Sequence, residues 1–164
     1  MHIKIKEIKG EGENIFWTHY IKNIEKGNIV IARKVQNYDL VPKSKFDFET
    51  VEKIKRADIK DIEPILPELF EWIEDPNWPI AKSLAIGLVR FGEYIIPFVK
   101  YYLNNTEGQN EICVYEYIIP LLNKADLEAI KADLSRLASK PTEFEKELEY
   151  DKFAQEYLDK LKNM

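Results

Sequence analysis

The sequence is poor in the residues that most often carry catalysis and metal binding. It contains two histidines, His2 and His19, and one cysteine, Cys113. A zinc site needs a cluster of histidine and cysteine ligands, and a nucleophilic thiol needs a neighbouring base. Glycine is scarce too, and Gly10-Glu11-Gly12 lacks the Gly-Lys pair or third glycine of a phosphate-binding loop. We therefore expect no catalytic residue, no metal site and no bound cofactor.

Long apolar runs are also missing. No stretch approaches the roughly 20 apolar residues of a membrane span. Residues 1–14 lack an apolar segment of leader length. A single cysteine allows no internal disulfide, which is typical of a reducing compartment. We expect a cytoplasmic protein with no membrane partner, in which Cys113 is a buried structural thiol within the apolar stretch Ile112-Cys113-Val114.

The charge is uneven along the chain. The whole sequence carries a formal net charge of −5. Residues 1–40 contain seven Lys and Arg against five Asp and Glu, whereas residues 41–164 contain 17 against 24. A phosphate backbone is bound by clustered basic residues, so nucleic acid is not the expected partner. A protein partner of the acidic part is expected to be basic.

Residues 41–164 have the apolar spacing of successive amphipathic helices. Asp47 is placed to cap the first of these helices, and Asn77 a later one. The last helix is expected over 142–161, where Thr142-Glu143-Phe144-Glu145 has the spacing of a capping box. Together these signals predict a helical domain over residues 41–164.

A weak internal repeat indicates how the helices are arranged. Ile-x-Pro followed by two apolar residues occurs at Ile62, Ile95 and Ile118. The first two copies are 33 residues apart, about the length of one helical pair, and the third follows after 23. The expected fold class is all-α, with stacked antiparallel pairs in a HEAT-like α-α superhelix. Pro120 should kink or split the helix that contains it.

Residues 1–40 are expected to form a small N-terminal appendage that caps the helical domain. Apolar residues at helical spacing predict a helix over 15–25. The β-branched run Ile29-Val30-Ile31 predicts a short strand, and a weaker alternation over 2–8 predicts another. The two strands would form a ribbon, which is marginal unless it packs on the helices.

The most specific motif in the chain is Asp75-Pro76-Asn77-Trp78-Pro79. With Val41-Pro42-Lys43, Asp47, and Pro141-Thr142 followed by Glu145, it makes residues 41–160 resemble a bacterial family known as domain of unknown function 5071. The resemblance implies a HEAT-like helical repeat fold and no established activity. Small acidic families of this kind can be encoded beside toxin genes as immunity proteins. We expect Trp78 to pack as a buried wedge between two helical layers.

Acidic side chains gather near this motif. Glu68, Glu71 and Glu74 follow one another at three-residue spacing and so share one helix face. Several tyrosines lie in the two following helices, and some must be exposed because Tyr101 and Tyr102 are consecutive. The predicted protein-binding residues are Glu68, Glu71, Glu74, Asp75, Tyr101 and Tyr115.

The leading functional hypothesis is a non-enzymatic protein-binding domain, in its narrower form an immunity protein that neutralises a toxin. Two alternatives stay open. One is a HEAT-like enzyme or a nucleic-acid-binding protein, in which Lys82, Arg90 and Lys100 with Trp78 line a local basic groove. The other is a self-associating structural module, because a helical stack with uncapped ends can bury an apolar end face by dimerising.

Overall fold

The computed structural model describes the backbone of residues 17–24, 27–34, 38–105 and 111–164, and the side chains from residue 39 onward within those ranges. The strand predicted over 2–8 lies outside the described residues.

Residues 17–34 contain an antiparallel hairpin. Strand β1 (Trp17–Ile24) pairs with strand β2 (Gly27–Lys34) in a register that sets Tyr20 opposite Ile31. The short strand predicted at residues 29–31 lies within β2, but the helix predicted over 15–25 is wrong for its described residues. The segment is rich in aromatic and β-branched residues, and pairing with β2 supplies hydrogen bonds that override its helical spacing.

Beyond the hairpin, all regular structure in the described residues is helical, which confirms the all-α expectation for this part of the chain. The α-helices are α1 (Phe48–Ile54), α2 (Ile59–Ile62), α3 (Leu66–Glu71), α4 (Ala81–Leu88), α5 (Ile96–Asn104), α6 (Lys124–Ala129), α7 (Lys131–Ser139), α8 (Glu143–Glu147) and α9 (Tyr150–Asn163). Short 3-10 helices cover Tyr38–Leu40, Glu63–Ile65, Val89–Tyr94 and Ile119–Leu121, and Val114–Ile118 is a π-helix. The split predicted at Pro120 is confirmed, since the π-helix gives way to a 3-10 helix there.

The helices contact one another in an alternating order. Helix α1 packs on α4, and α4 packs on the π-helix. Helix α3 meets α5, with the rings of Phe70 and Phe98 stacked 4.6 Å apart, and α5 packs on α7. Helix α9 packs along α7 and reaches the π-helix, where Tyr150 stacks on Tyr115 at 4.0 Å. One continuous cluster of buried apolar side chains, from Val51 to Leu161, joins all these elements.

The cap predicted for the first helix is confirmed, whereas the cap predicted at Asn77 is wrong. Asp47 accepts a hydrogen bond from the Thr50 amide at 3.1 Å and caps α1. Helix α2 begins after Asp58, whose side chain accepts a hydrogen bond from the Lys60 amide. Helix α4 begins at Ala81 without a side-chain cap, and Asn77 lies four residues earlier, in the turn where its side-chain amide donates to Asp75.

The helix predicted over 142–161 is two helices. Glu149, in the left-handed region at φ 58°, separates α8 from α9. The capping box at the start of α8 is confirmed: Thr142 Oγ1 accepts from the Glu145 amide, and the Glu145 carboxylate accepts from the Thr142 amide. After this break Phe144 and Leu148 are partly exposed, and so is Phe48 of α1.

Candidate functional site

The end of α3 carries the predicted acidic residues. Glu68 and Glu71 lie in α3, and Glu74 and Asp75 lie in the turn that follows, because α3 ends at Glu71. The Glu71 side chain is exposed, and the other three are half-buried. All four therefore reach the surface, although one continuous helix does not carry them.

Glu71 is the electrostatic centre of this group. Partial desolvation by the surrounding chain raises the pKa of the Glu71 carboxyl, and the negative charges of Glu68 and Glu74 raise it further. These effects place the three carboxylates close together, as their spacing predicted. None of the ion pairs within the described part of the chain involves Glu71 or Glu74. Ionised Glu71 therefore disfavours the folded state at neutral pH.

Glu74 also connects the turn to α5. The Tyr102 hydroxyl donates a hydrogen bond to Glu74 Oε1 at 3.0 Å. Tyr102 is buried, and its ring stacks on Phe70 with centroids 5.9 Å apart. Burial comes first among the causes that raise the Tyr102 pKa, and the charge of Glu74 comes second. No local sequence pattern indicates that Tyr102 positions Glu74, because the two residues lie 28 positions apart.

Tyr101 lies at the edge of the same region. Its side chain is half-buried, and its ring meets the Tyr102 ring edge-on, with centroids 5.3 Å apart and an interplanar angle of 84°. Since Tyr102 bonds to Glu74, Tyr101 is held beside the acidic residues. We call Glu68, Glu71, Glu74 and Tyr101 the acidic–aromatic surface.

Tyr115 does not contribute to this surface, and its selection as an exposed recognition residue was wrong. It is 2 % exposed. Its ring stacks on Tyr150 and meets Phe153 edge-on at 5.1 Å, so it faces α9. The spacing of tyrosines along the sequence could not show this, because the packing partner comes from a helix far along the chain.

The turn Asp75–Pro79 is held mainly by local contacts. The Asp75 carboxylate accepts hydrogen bonds from the backbone and side-chain amides of Asn77, at 2.9 and 3.1 Å. Trp78 packs against the core and against Trp72, with ring centroids 5.0 Å apart. The indole of Trp78 is only half-buried, so the prediction of a buried wedge holds in part. Asp75 therefore closes the turn and leaves recognition to the neighbouring glutamates.

Chemistry at the other predicted positions is limited. Cys113 is fully buried, as predicted, and burial raises its pKa to about 11, so the thiol is protonated at neutral pH and is a poor nucleophile.

Within the described ranges, no group of three or more His, Cys, Asp or Glu side chains is placed to hold a metal ion. Among the helices that the structure describes, none has both the length and the apolar character to cross a membrane.

The residues suggested for a basic groove have contacts within the protein. Arg90 Nη1 donates to the Ala57 carbonyl oxygen at 2.7 Å. Lys82 Nζ lies 5.1 Å from the centroid of the Tyr117 ring, a cation–π contact. Lys100 is exposed. Packing thus accounts for Lys82 and Arg90 without a nucleic acid, and the basic groove remains a prediction.

Comparison with protein families gives a match over most of the chain. The family model described as a domain of unknown function (DUF5071) matches residues 40–158. No curated protein matches the chain. Several motif residues inside the matched range bond to the backbone: Asp47 caps α1, Asp75 closes its turn, and Glu145 completes the capping box of α8. These residues of the motif specify local structure, which is why they indicate a fold and leave the function open.

Proposed function

The chain belongs to the family described as domain of unknown function 5071, and on that premise we propose that it is a non-enzymatic protein-binding domain with a basic partner. The observation that carries the proposal is the environment of Glu71. Its carboxyl lies among other carboxylates, with no ion pair inside the described chain and a raised pKa. A lysine or arginine from a partner would lower that pKa and relieve the repulsion, so binding would favour the ionised form.

The aromatic part of the surface supports the same proposal. Tyr101 offers a rigid ring beside the glutamates, and tyrosine is enriched among the residues that dominate protein interfaces. The hydrogen bond from Tyr102 holds Glu74 in a defined position before a partner arrives. Such preorganisation reduces the conformational entropy lost on binding. Repulsive charge that disfavours folding is also easier to understand at a recognition surface than at a structural one.

The proposal includes a HEAT-like superhelix as the scaffold, with residues 1–40 as its N-terminal cap. The alternating contacts support this arrangement. Helices α1, α4 and the π-helix follow one another in one series, and α3, α5 and α7 in the other. In stacked helical pairs, each helix contacts its counterpart in the next pair. The acidic–aromatic surface then lies on the series that contains α3 and α5.

In its narrower form, the proposed function is that of a bacterial immunity protein, which would bind and neutralise a basic toxin in the cytoplasm. The single cysteine is compatible with that compartment. An acidic surface would also speed the encounter with a basic toxin, because opposite charges attract at long range. This association should therefore weaken as salt increases.

Charge reversal tests the proposal. The tagged chain is used for co-purification from its own host, and the captured protein is then purified for titration. We expect Glu71→Lys to weaken binding by about tenfold or more, as for loss of a charge-assisted contact at an interface. Glu147→Lys is the matched control, since Glu147 is an exposed glutamate of α8. Equal effects of the two variants, or failure to recover a basic protein, would contradict the proposal.

A further inference from the structure

Glu111 is a buried carboxyl that has no compensating charge among the described side chains. It is 1 % exposed, and its Oε1 has no hydrogen-bond partner. None of the ion pairs in the described ranges includes it. Burial raises the Glu111 pKa, and a hydrogen bond from its own backbone amide opposes this in part. Such a site favours the neutral acid over the carboxylate.

Of the groups around Glu111 that the structure describes, none supplies a positive charge to it. Arg136 lies near the Tyr115 ring, but it is paired with Glu145 at 2.8 Å. Burial raises the Tyr150 pKa to about 12, and the charge of Glu111 contributes, so Tyr150 remains neutral near Glu111. The titratable and charged groups of this region are Glu111, Tyr115 and Glu116 from one segment, Tyr150 from α9, Arg136 from α7 and Glu145 from α8.

The segment that begins at Glu111 is irregular in its hydrogen bonding. The Glu111 carbonyl oxygen accepts from the amides of Val114 and Tyr115, at 2.9 and 3.1 Å, and the π-helix follows. π-helical turns are rare and occur often at functional positions. Pro120 has no amide hydrogen to donate in the next turn. The buried Tyr115 hydroxyl also lacks a hydrogen-bond partner. Residues 111–118 thus combine two unsatisfied buried polar groups with a helix that cannot continue regularly.

We propose that Glu111 is a proton-controlled latch: as a neutral acid it allows residues 111–118 to close against α9, and loss of its proton to solvent opens the segment. The direction follows from its raised pKa. The stability of the closed segment is fully present below the ordinary glutamate pKa and is lost as the pH rises through the folded-state value. Opening would expose the Tyr115 ring and the Cys113 thiol.

Cys113 provides a reporter for this opening, because it is fully buried within the segment and is the only cysteine of the chain. Labelling of the thiol by an aromatic disulfide reagent is followed between pH 3.5 and pH 8.5 in the intact protein and in Glu111→Gln. The thiolate fraction changes with pH equally in both proteins. The labelling rate of the intact protein divided by that of Glu111→Gln therefore reports the opening of the segment. We expect this ratio to rise with pH, by about tenfold for each unit by which folding raises the pKa. A ratio that does not change with pH would overturn the proposal.

Two further measurements guard against indirect effects. Glu147→Gln changes an exposed glutamate of α8, which is not among the charges that act on the Cys113 thiol, and should label like the parent at every pH. Should Glu111→Gln fail to fold, hydrogen exchange of the parent alone still decides the matter. After correction for intrinsic base catalysis, protection of the amides of residues 111–118 should fall as pH rises, while that of α4 stays constant. Protection that changes equally in both regions, or in neither, rules out a latch at Glu111.

Discussion

The α7–α8 junction and the end of α3 both depend on glutamates, but in opposite ways. At the junction, Glu145 is 1 % exposed, and its carboxylate accepts hydrogen bonds from Arg136 at 2.8 Å and from the Thr142 amide at 2.7 Å. At the end of α3, Glu71 is exposed and faces other carboxylates. The buried glutamate supports the fold, whereas the exposed one weakens it. A carboxylate that is paired and hydrogen-bonded can thus support the fold even when it is buried, whereas desolvation and neighbouring negative charges make ionisation of Glu71 unfavourable.

Arg136 connects the α7–α8 junction to a third helix. Besides Glu145, it donates a hydrogen bond to the backbone carbonyl oxygen of Leu103 at the end of α5. One side chain thus joins α5, α7 and α8. At the end of α3, neither Glu71 nor Glu74 forms an ion pair with a described lysine or arginine.

The largest expected effect is that of Arg136→Met. This substitution would remove the guanidinium that pairs with the buried Glu145 carboxylate, and we expect the free energy of unfolding to fall by about 3 kcal/mol, as for other broken buried pairs. Chemical denaturation measures the change. The control is Lys131→Met, which removes an exposed pair with Glu128 and should change stability by less than about 1 kcal/mol.

A second substitution tests the cause of that loss. In Arg136→Met/Glu145→Gln the buried charge is also removed, while the amide side chain can still accept a bond from Thr142. We expect the double variant to recover part of the lost stability. If the double variant is less stable than Arg136→Met alone, the charge of the Glu145 carboxylate is not the cause of the lost stability. The contrast between the two regions would then lose its main support.

An intermediate loss of stability is expected for a substitution at Trp78. It tests whether aromatic packing stabilises the end of α3, where Glu71 and Glu74 form no ion pair within the described residues. Trp78→Ala removes the contact with Trp72 and part of the packing on the core. Since the indole is half-buried, we expect a loss of about 2 kcal/mol, less than for a fully buried aromatic residue. Thermal and chemical unfolding measure it, with Phe48→Ala, at a 47 % exposed position, as the control. A Trp78→Ala protein as stable as its parent would place this residue outside the structural support of the turn.

The smallest expected effect has the opposite sign. Glu71→Gln removes a carboxyl whose pKa the fold raises from its ordinary value of 4.5. The stability associated with the protonated group is lost as the pH rises above that value, so the variant should melt slightly higher than the parent at pH 7 and equally at pH 3.5. Melting curves across this range are the measurement, and Glu147→Gln should show no such dependence. A lower melting temperature for Glu71→Gln at pH 7 would show that Glu71 stabilises the fold after all.

The sequence by itself determined the features that depend on neighbours within one or two helical turns. The apolar stripe of Leu66, Leu69, Phe70 and Ile73 is buried as its spacing predicted. Asp47 caps α1, and Thr142 with Glu145 forms a capping box. The proximity of Glu68 and Glu71 also follows from their spacing within α3, whereas Glu74 approaches Glu71 from the turn that follows the helix. Side chains three or four residues apart meet on a helix whatever the rest of the chain does, so the sequence is sufficient for such contacts.

Only the tertiary structure decided which of these groups have partners elsewhere in the chain. The bond between Tyr102 and Glu74 spans 28 residues, and the stacking of Tyr115 on Tyr150 joins the π-helix to α9. Residues 17–24 form strand β1 and not the predicted helix, because backbone pairing with β2 outweighs the helical spacing of their apolar side chains. Helical periodicity carries no information about contacts across the fold, because many arrangements of helices bury the same stripes. Packing selects one of them, and in doing so it leaves Glu145 paired with Arg136 and Glu111 with no cation to pair with in the described chain.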